Sequence, residues 1–353
     1  MQPIEWRDGK IRFLDQTLLP GEERFVETDD PAVVAEAIKR LAIRGAPLIG
    51  IAAAYGVALA AFRFSTTESH LPSRLKGIIT LLASTRPTAV NLFWALDRMR
   101  RIIDLHPSAS TGELQAALVR EALTIHREDE EMGERIGRFG AELLPHAASV
   151  LTHCNTGMLA TGGKGTALAA ITVAWERKKL KHVYIDETRP LFQGARLTAW
   201  ELKKSGVPHT LVTDSTAGFL MQQGKVSTVM VGADRIAANG DVANKVGTFG
   251  LAVLAGYHQI PFYVAAPSSS IDFELRDGKA IPLEQRSPDE LVNCGGKRIT
   301  PEGTDVYSPA FDITPHSLIT AIITEQGVVR PPYQVSLCGV KHSGTVYREG
   351  VKP

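Results

Sequence analysis

Cysteine is scarce in this chain and neither sign of charge prevails. Cys154, Cys294 and Cys338 are the three cysteines in 353 residues. They form no CxxC pair and share no Cys/His spacing suited to zinc, so no structural metal is expected and a reducing, cytoplasmic setting is. Lys plus Arg number 39 against 38 Asp plus Glu, which leaves no positive field to hold a nucleic acid or an anionic membrane surface. Met1–Lys10 lacks the basic-then-apolar order of a secretory signal. One run with no charged or strongly polar residue, Ala46–Phe62, is rich in Ala and Gly. It falls short of the roughly 20 residues of a membrane span and reads as a buried core helix. What remains is a soluble protein with a small-molecule partner, long enough for two domains.

The chain changes character near its middle. Ile4-Glu5-Trp6, the turn pair Asp8-Gly9 and Ile11–Leu14 read as a β-hairpin. Asp30 before Pro31 opens a helix to about Arg44, and Pro47 opens the next through Tyr55. Ser110 with Glu113 forms a capping box ahead of the helical stretch Leu114–Leu144, which is expected to break near Gly133 or Gly137. These features predict a mainly helical N-terminal domain over 1–145 with a small β-hairpin. From Ala148, β-branched runs alternate with helical stretches: Ser149–His153, Val183–Ile185, His209–Thr213, Val226–Val231 and Pro261–Ala265. That alternation predicts an α/β fold with a Rossmann-like parallel-sheet domain over 146–353. Helices are expected at Ala195–Lys204 and from Thr314-Pro315 to Gly327.

Ligands of an open parallel sheet bind beyond the carboxyl ends of its strands. The residues that follow the predicted strands are Cys154-Asn155, Asp186-Glu187, Asp214-Ser215 and Asp234-Arg235. Each carboxylate alone reads first as a helix cap, yet together they make a polar rim that points to a site. Asn244-Lys245 is expected to open the next helix and to present an amide and an ammonium to that rim, or to lie solvated. The stretch Gly157–Thr166 either turns backbone amides toward a ligand or eases close packing. It matches neither a Walker A motif, since Lys164 is followed by Gly165, nor the dinucleotide fingerprint, so no nucleotide cofactor is expected. Arg44-Gly45-Ala46-Pro47 sets a guanidinium and free amides at the start of an apolar helix, which suits a phosphate monoester or a plain interhelical loop. Arg86, before Pro87, is a second cation of the same standing.

Seven longer segments carry a resemblance across nearly the whole chain: LDQTLLP from Leu14, RGAPLIGIAAAYG from Arg44, RPTAVNLFWALDRM from Arg86, HCNTGMLAT from His153, DETRPLFQGARLTAWEL from Asp186, GADRIAANGDVANKVGT from Gly232 and PAFDITP from Pro309. The chain resembles the family that joins the methylthioribose-1-phosphate isomerases to the alpha, beta and delta subunits of translation initiation factor 2B, on the isomerase branch. The resemblance implies Cys154 as a transition-state stabiliser and Asp234 as a proton donor. It implies substrate contacts from Arg44, Gly45, Ala46, Arg86, Gln193, Asn244 and Lys245. It also implies a homodimer, and because the sequence offers a site for neither, no cofactor and no metal are expected. Lys164, Leu191-Phe192 and Ser308 depart from the family's usual pattern, which leaves room for an isomerase of a related sugar 1-phosphate, and the initiation-factor relatives supply a second alternative, a non-catalytic regulatory subunit.

Overall fold

The computed structural model describes residues 1–63 and 71–340; residues 341–353 of the expected C-terminal domain lie outside the described residues. Asp8 and Gly9 take positive φ angles of 44° and 81°, as a tight hairpin turn requires. They join β1 (Ile4–Arg7) to β2 (Lys10–Leu14), and an unpredicted strand, β3 (Phe25–Thr28), completes an antiparallel sheet. Asp30 caps α1 (Pro31–Lys39) by accepting the Ala32 amide at 2.8 Å. This helix ends before the predicted Arg44 because Leu41 turns the chain at φ 64°. The apolar run becomes α2 (Ala46–Arg63), longer than predicted and buried from Leu48 to Ala61. It is the central helix of the first core, packed by α1, α3 (Leu71–Ala83), α4 (Val90–Leu105) and α5 (Thr111–Leu143).

The Ser110–Glu113 capping box forms, but α5 runs unbroken for 33 residues through Gly133 and Gly137. Its glycines serve close packing. A Cβ on Gly140 would lie 2.5 Å from the Cβ of Ala170, and one on Gly137 would lie 3.3 Å from that of Ala169; both alanines belong to α6 (Ala167–Glu176). A helical glycine costs about 1 kcal/mol relative to alanine, and burial along the α5–α6 seam offsets that cost.

The second half is α/β. Parallel strands β4 (Ala148–Thr152), β5 (Leu180–Asp186), β6 (His209–Val212) and β7 (Thr228–Val231) alternate with α6, α7 (Ala199–Lys204) and α8 (Ala217–Gln222). After β7 the alternation lapses. Gly240, at φ 91°, turns the chain into an antiparallel hairpin of β8 (Arg235–Ala237) and β9 (Val242–Lys245), and α9 starts only at Thr248, ending at Tyr257. Asn244 and Lys245 are therefore strand residues and do not open a helix. β10 (Phe262–Ala265) rejoins the main sheet. An excursion follows, with β11 (Ile271–Asp272), α10 (Asp289–Val292) and the short hairpin β12 (Asn293–Cys294) and β13 (Lys297–Arg298), and it closes at β14 (Phe311–Thr314) against β9.

The helix predicted from Thr314-Pro315 to Gly327 is absent. Its place holds β15 (Ala321–Thr324) and a turn into β16 (Gly327–Val329). The β-branched run of Ile319, Thr320, Ile322, Ile323 and Thr324 prevails over the Thr-Pro start signal. The main sheet is ordered β16-β15-β10-β7-β4-β5-β6 and is parallel except for β16. From β4 the chain first winds toward β6 and then, from β7, toward β15. The strand order reverses between β4 and β7, which opens a crevice at their carboxyl ends.

Candidate active site

Cys154 and Asp234 follow the two strands that flank this reversal, and both line a cleft of about 480 Å³. Cys154 holds a left-handed backbone at φ 64°, a conformation uncommon for a residue other than glycine. Two buried hydroxyls clamp it: its N–H donates to Thr188 Oγ1 at 2.9 Å, and its carbonyl accepts from Thr198 Oγ1 at 2.6 Å. Burial pushes the thiol pKa up, and the positive charges of Arg44 and Lys245 only partly oppose it. Asp234 donates its N–H to the Ala243 carbonyl at 3.0 Å within the β8–β9 hairpin. No helix follows it, so the cap reading fails here. Burial raises its carboxyl pKa against the pull of Lys245, Arg86 and Arg44.

Lys245, the last residue of β9, is 8% exposed and its Nζ lies 5.3 Å from the centre of the Phe311 ring. Burial lowers its pKa, while the charges of Cys154 and Asp234 act in the opposite sense. Asn244 donates to Thr248 Oγ1 at 3.0 Å, and it borders a smaller recess beside Arg44, Gly45, Ala46 and Cys154. Gln193 lines the main cleft, and its buried Oε1 has no hydrogen-bond partner among the described residues.

The facing wall comes from the helical half. Gly45 takes φ 97°, and a Cβ there would sit 2.5 Å from the Ala160 Cα, so the position requires glycine. Gly45 and Ala46, at the start of α2, line the cleft, and a helix start leaves its first N–H groups without partners in the helix. Arg86 donates through Nη2 to Glu284 at 2.8 Å, and Arg286 donates to the same carboxylate at 2.8 Å. Sequence reasoning missed Arg286, Glu290 and the apolar Ile281 and Pro282, which line the cleft, and Glu284, which pairs with Arg86 and Arg286; all belong to the excursion, which only the tertiary fold brings back here.

Arg235 also lines the cleft and Asn155 borders the smaller recess, whereas the rim carboxylates Asp186 and Asp214 line neither. Asp186 accepts from His153 Nδ1 at 3.0 Å, while His153 Nε2 donates to the Val246 carbonyl at 2.9 Å. Burial favours the neutral ring, but the bond to Asp186 and its charge outweigh that and raise the His153 pKa. Asp214 accepts the Thr188 and Arg189 amides, each at 2.7 Å. In the glycine-rich stretch the amides serve protein acceptors: Met158 donates to Glu201, Gly162 to Asp129 and Thr166 to the Thr156 carbonyl. The packing reading of its glycines holds.

A model of the initiation factor 2 subunit family matches residues 42–331. The chain belongs to that family. Within it the chain falls on the methylthioribose-1-phosphate isomerase branch. It is 54% identical over 335 residues to the methylthioribose-1-phosphate isomerase of Syntrophotalea carbinolica, covering 94% of this chain and 97% of that one. The crystal structure of 5-methylthioribose 1-phosphate isomerase from Pyrococcus horikoshii OT3 superposes with a TM-score of 0.90 at 47% identity, over 96% of this chain and 94% of that chain. The crystal structure of translation initiation factor eIF-2B, subunit delta, from A. fulgidus gives a TM-score of 0.85 at 45% identity, over 96% of this chain and 98% of that chain.

Proposed function

We infer that the chain is an aldose-ketose isomerase that converts 5-methylthioribose 1-phosphate to 5-methylthioribulose 1-phosphate in methionine salvage. The observation that carries this reading is the meeting of Cys154 and Asp234 at the sheet's switch point, opposite Arg44 and Arg86 and beside Lys245. The anomeric oxygen of the substrate bears phosphate, so the ring cannot open by loss of a hydroxyl proton. Asp234, kept protonated by its enclosure, gives its proton to the ring oxygen as the bond from C1 to that oxygen breaks. The hydrogen on C2 moves to C1, and the proton of the 2-hydroxyl leaves as the ketone forms and restores the acid. Atoms and electrons balance within one molecule. Cys154, with its thiol pKa raised, acts at neutral pH as an S–H beside the reacting carbons. Arg44, the amides of Gly45 and Ala46, and Arg86 take the phosphate, while Gln193, Asn244 and Lys245 take hydroxyls and developing charge.

Comparing turnover of the methylthioribose, deoxyribose and ribose 1-phosphates tests the substrate, since a pocket discriminates such groups by only about 1–3 kcal/mol. A higher kcat/KM for either of the other two would replace this substrate, and absence of turnover on all three would favour a regulatory role. Retention of C2 deuterium in the product would mark hydride transfer over an enediol.

We propose further that the chain works in the cytoplasm as a homodimer and that its two domains divide near residue 145. Phe249, Val253 and Tyr257 recur on one face of α9 with 43%, 44% and 82% of their surface exposed, which supports a second copy as partner. A monomer by light scattering at micromolar concentration would remove the dimer.

A further inference from the structure

The Arg44 guanidinium is held from behind. Its Nη1 donates to Asn155 Oδ1, and its Nη2 donates to the Asn155 carbonyl at 3.0 Å. Asn155 is buried and donates through Nδ2 to Glu201 Oε1 at 2.8 Å and to Thr198 Oγ1 at 3.2 Å. Glu201, 6% exposed, also accepts the Met158 amide at 2.8 Å and the Leu159 amide at 3.3 Å. Room for this carboxylate depends on Gly157, where a Cβ would come within 2.1 Å of Oε2. A branch through Thr198 reaches the Cys154 carbonyl at 2.6 Å.

The direction of this chain of bonds follows from the chemistry of its members. Three N–H donors converge on Glu201, which suits an ionised, acceptor-only carboxylate. Asn155 must then turn its NH₂ toward Glu201 and its oxygen toward Arg44; a flipped amide would set donor against donor on the guanidinium. Glu201 and Thr198 line neither hollow, so they reach the substrate only through others. We propose that Asn155, Thr198 and Glu201 are positioning residues that fix the Arg44 guanidinium and the Cys154 peptide as one unit, so that the phosphate grip and the thiol are placed together. This rests on the reading of Arg44 as a phosphate ligand.

Glu201→Gln keeps the volume and frees the Asn155 amide to flip. Its effect should vanish when Arg44 is absent, because residues acting through one group are not additive. Glu201→Gln is expected to raise KM for 5-methylthioribose 1-phosphate tenfold or more in the parent protein and less than twofold in an Arg44→Ala background. Thr198→Val is expected to lower kcat tenfold or more with KM within twofold, and Thr198→Ser to restore it. A rise in KM of equal size in both backgrounds, or folded variants within twofold of the parent, would overturn the proposal. If Glu201→Gln is insoluble, Asn155→Ser removes the oxygen facing Arg44 and makes the same comparison. A parent protein with no turnover would sink the isomerase reading separately, and calorimetry with inorganic phosphate would then decide the positioning. Weaker binding in Glu201→Gln only while Arg44 is present keeps it, and equal binding discards it.

Discussion

The two walls of the cleft are built for different work. The sheet wall carries Cys154, Asp234 and Lys245, each enclosed so that burial shifts its pKa toward the neutral form. The helix wall carries Arg44, the glycine turn before α2, and Arg86, whose charge is answered by Glu284. Shifted groups at a cleft suit proton transfer, whereas a paired guanidinium and helix-start amides suit a fixed anion that does not react. The contrast teaches that side-chain type alone does not assign a role: lysine here stands with the reactive wall and arginine with the grip. Changes to the first wall should therefore act on kcat, and changes to the second on KM.

Asp234→Asn should show the largest effect, a fall in kcat of about 10² to 10⁴, the worth of a positioned general acid. The acid works only when protonated, and its pKa is raised. Activity should thus hold at low pH and fall as pH rises through that pKa, a limb that the asparagine variant lacks. Near parental kcat in a folded Asp234→Asn protein would end the acid role. Cys154→Ala should lower kcat by roughly tenfold or more, and Cys154→Ser should recover part of it because a hydroxyl still donates a hydrogen bond; equal rates for the two would deny a donor role. Arg44→Ala should raise KM, since a lost charged contact is worth about 2 kcal/mol, or roughly thirtyfold. A drop confined to kcat would move Arg44 to the reactive wall. Least kinetic effect is expected from Gly165→Ala. Gly165 sits at φ 94° with a Cβ position 2.5 Å from the Gly157 Cα, so the change should cost about 1–3 kcal/mol in thermal unfolding and leave KM of the folded fraction alone.

Much of this arrangement was legible in the sequence. Five of the six parallel strands announced themselves as β-branched runs between polar turns, and the residues after them formed the expected rim at Cys154 and Asp234. The errors have physical causes. Glycines in α5 looked like breaks because a sequence does not show the helix lying against them. Asn244 and Lys245 looked like a helix start because β7 was expected to keep the alternation, whereas a hairpin follows it. Asp186 and Asp214 were read with the rim, yet they bind His153 and two loop amides instead. Glu284 and Arg286 carry no local signal, since they reach the cleft by a fold-back across nearly 200 positions from Arg86.

The left-handed backbone at Cys154 sets a limit on engineering this protein. Glycine would adopt φ 64° without the steric cost that a Cβ brings there. A search for thermostable variants that scores only folding would therefore favour Cys154→Gly. Such a variant should melt higher than its parent while losing the thiol, so screens for robustness in this scaffold need an activity filter at this position.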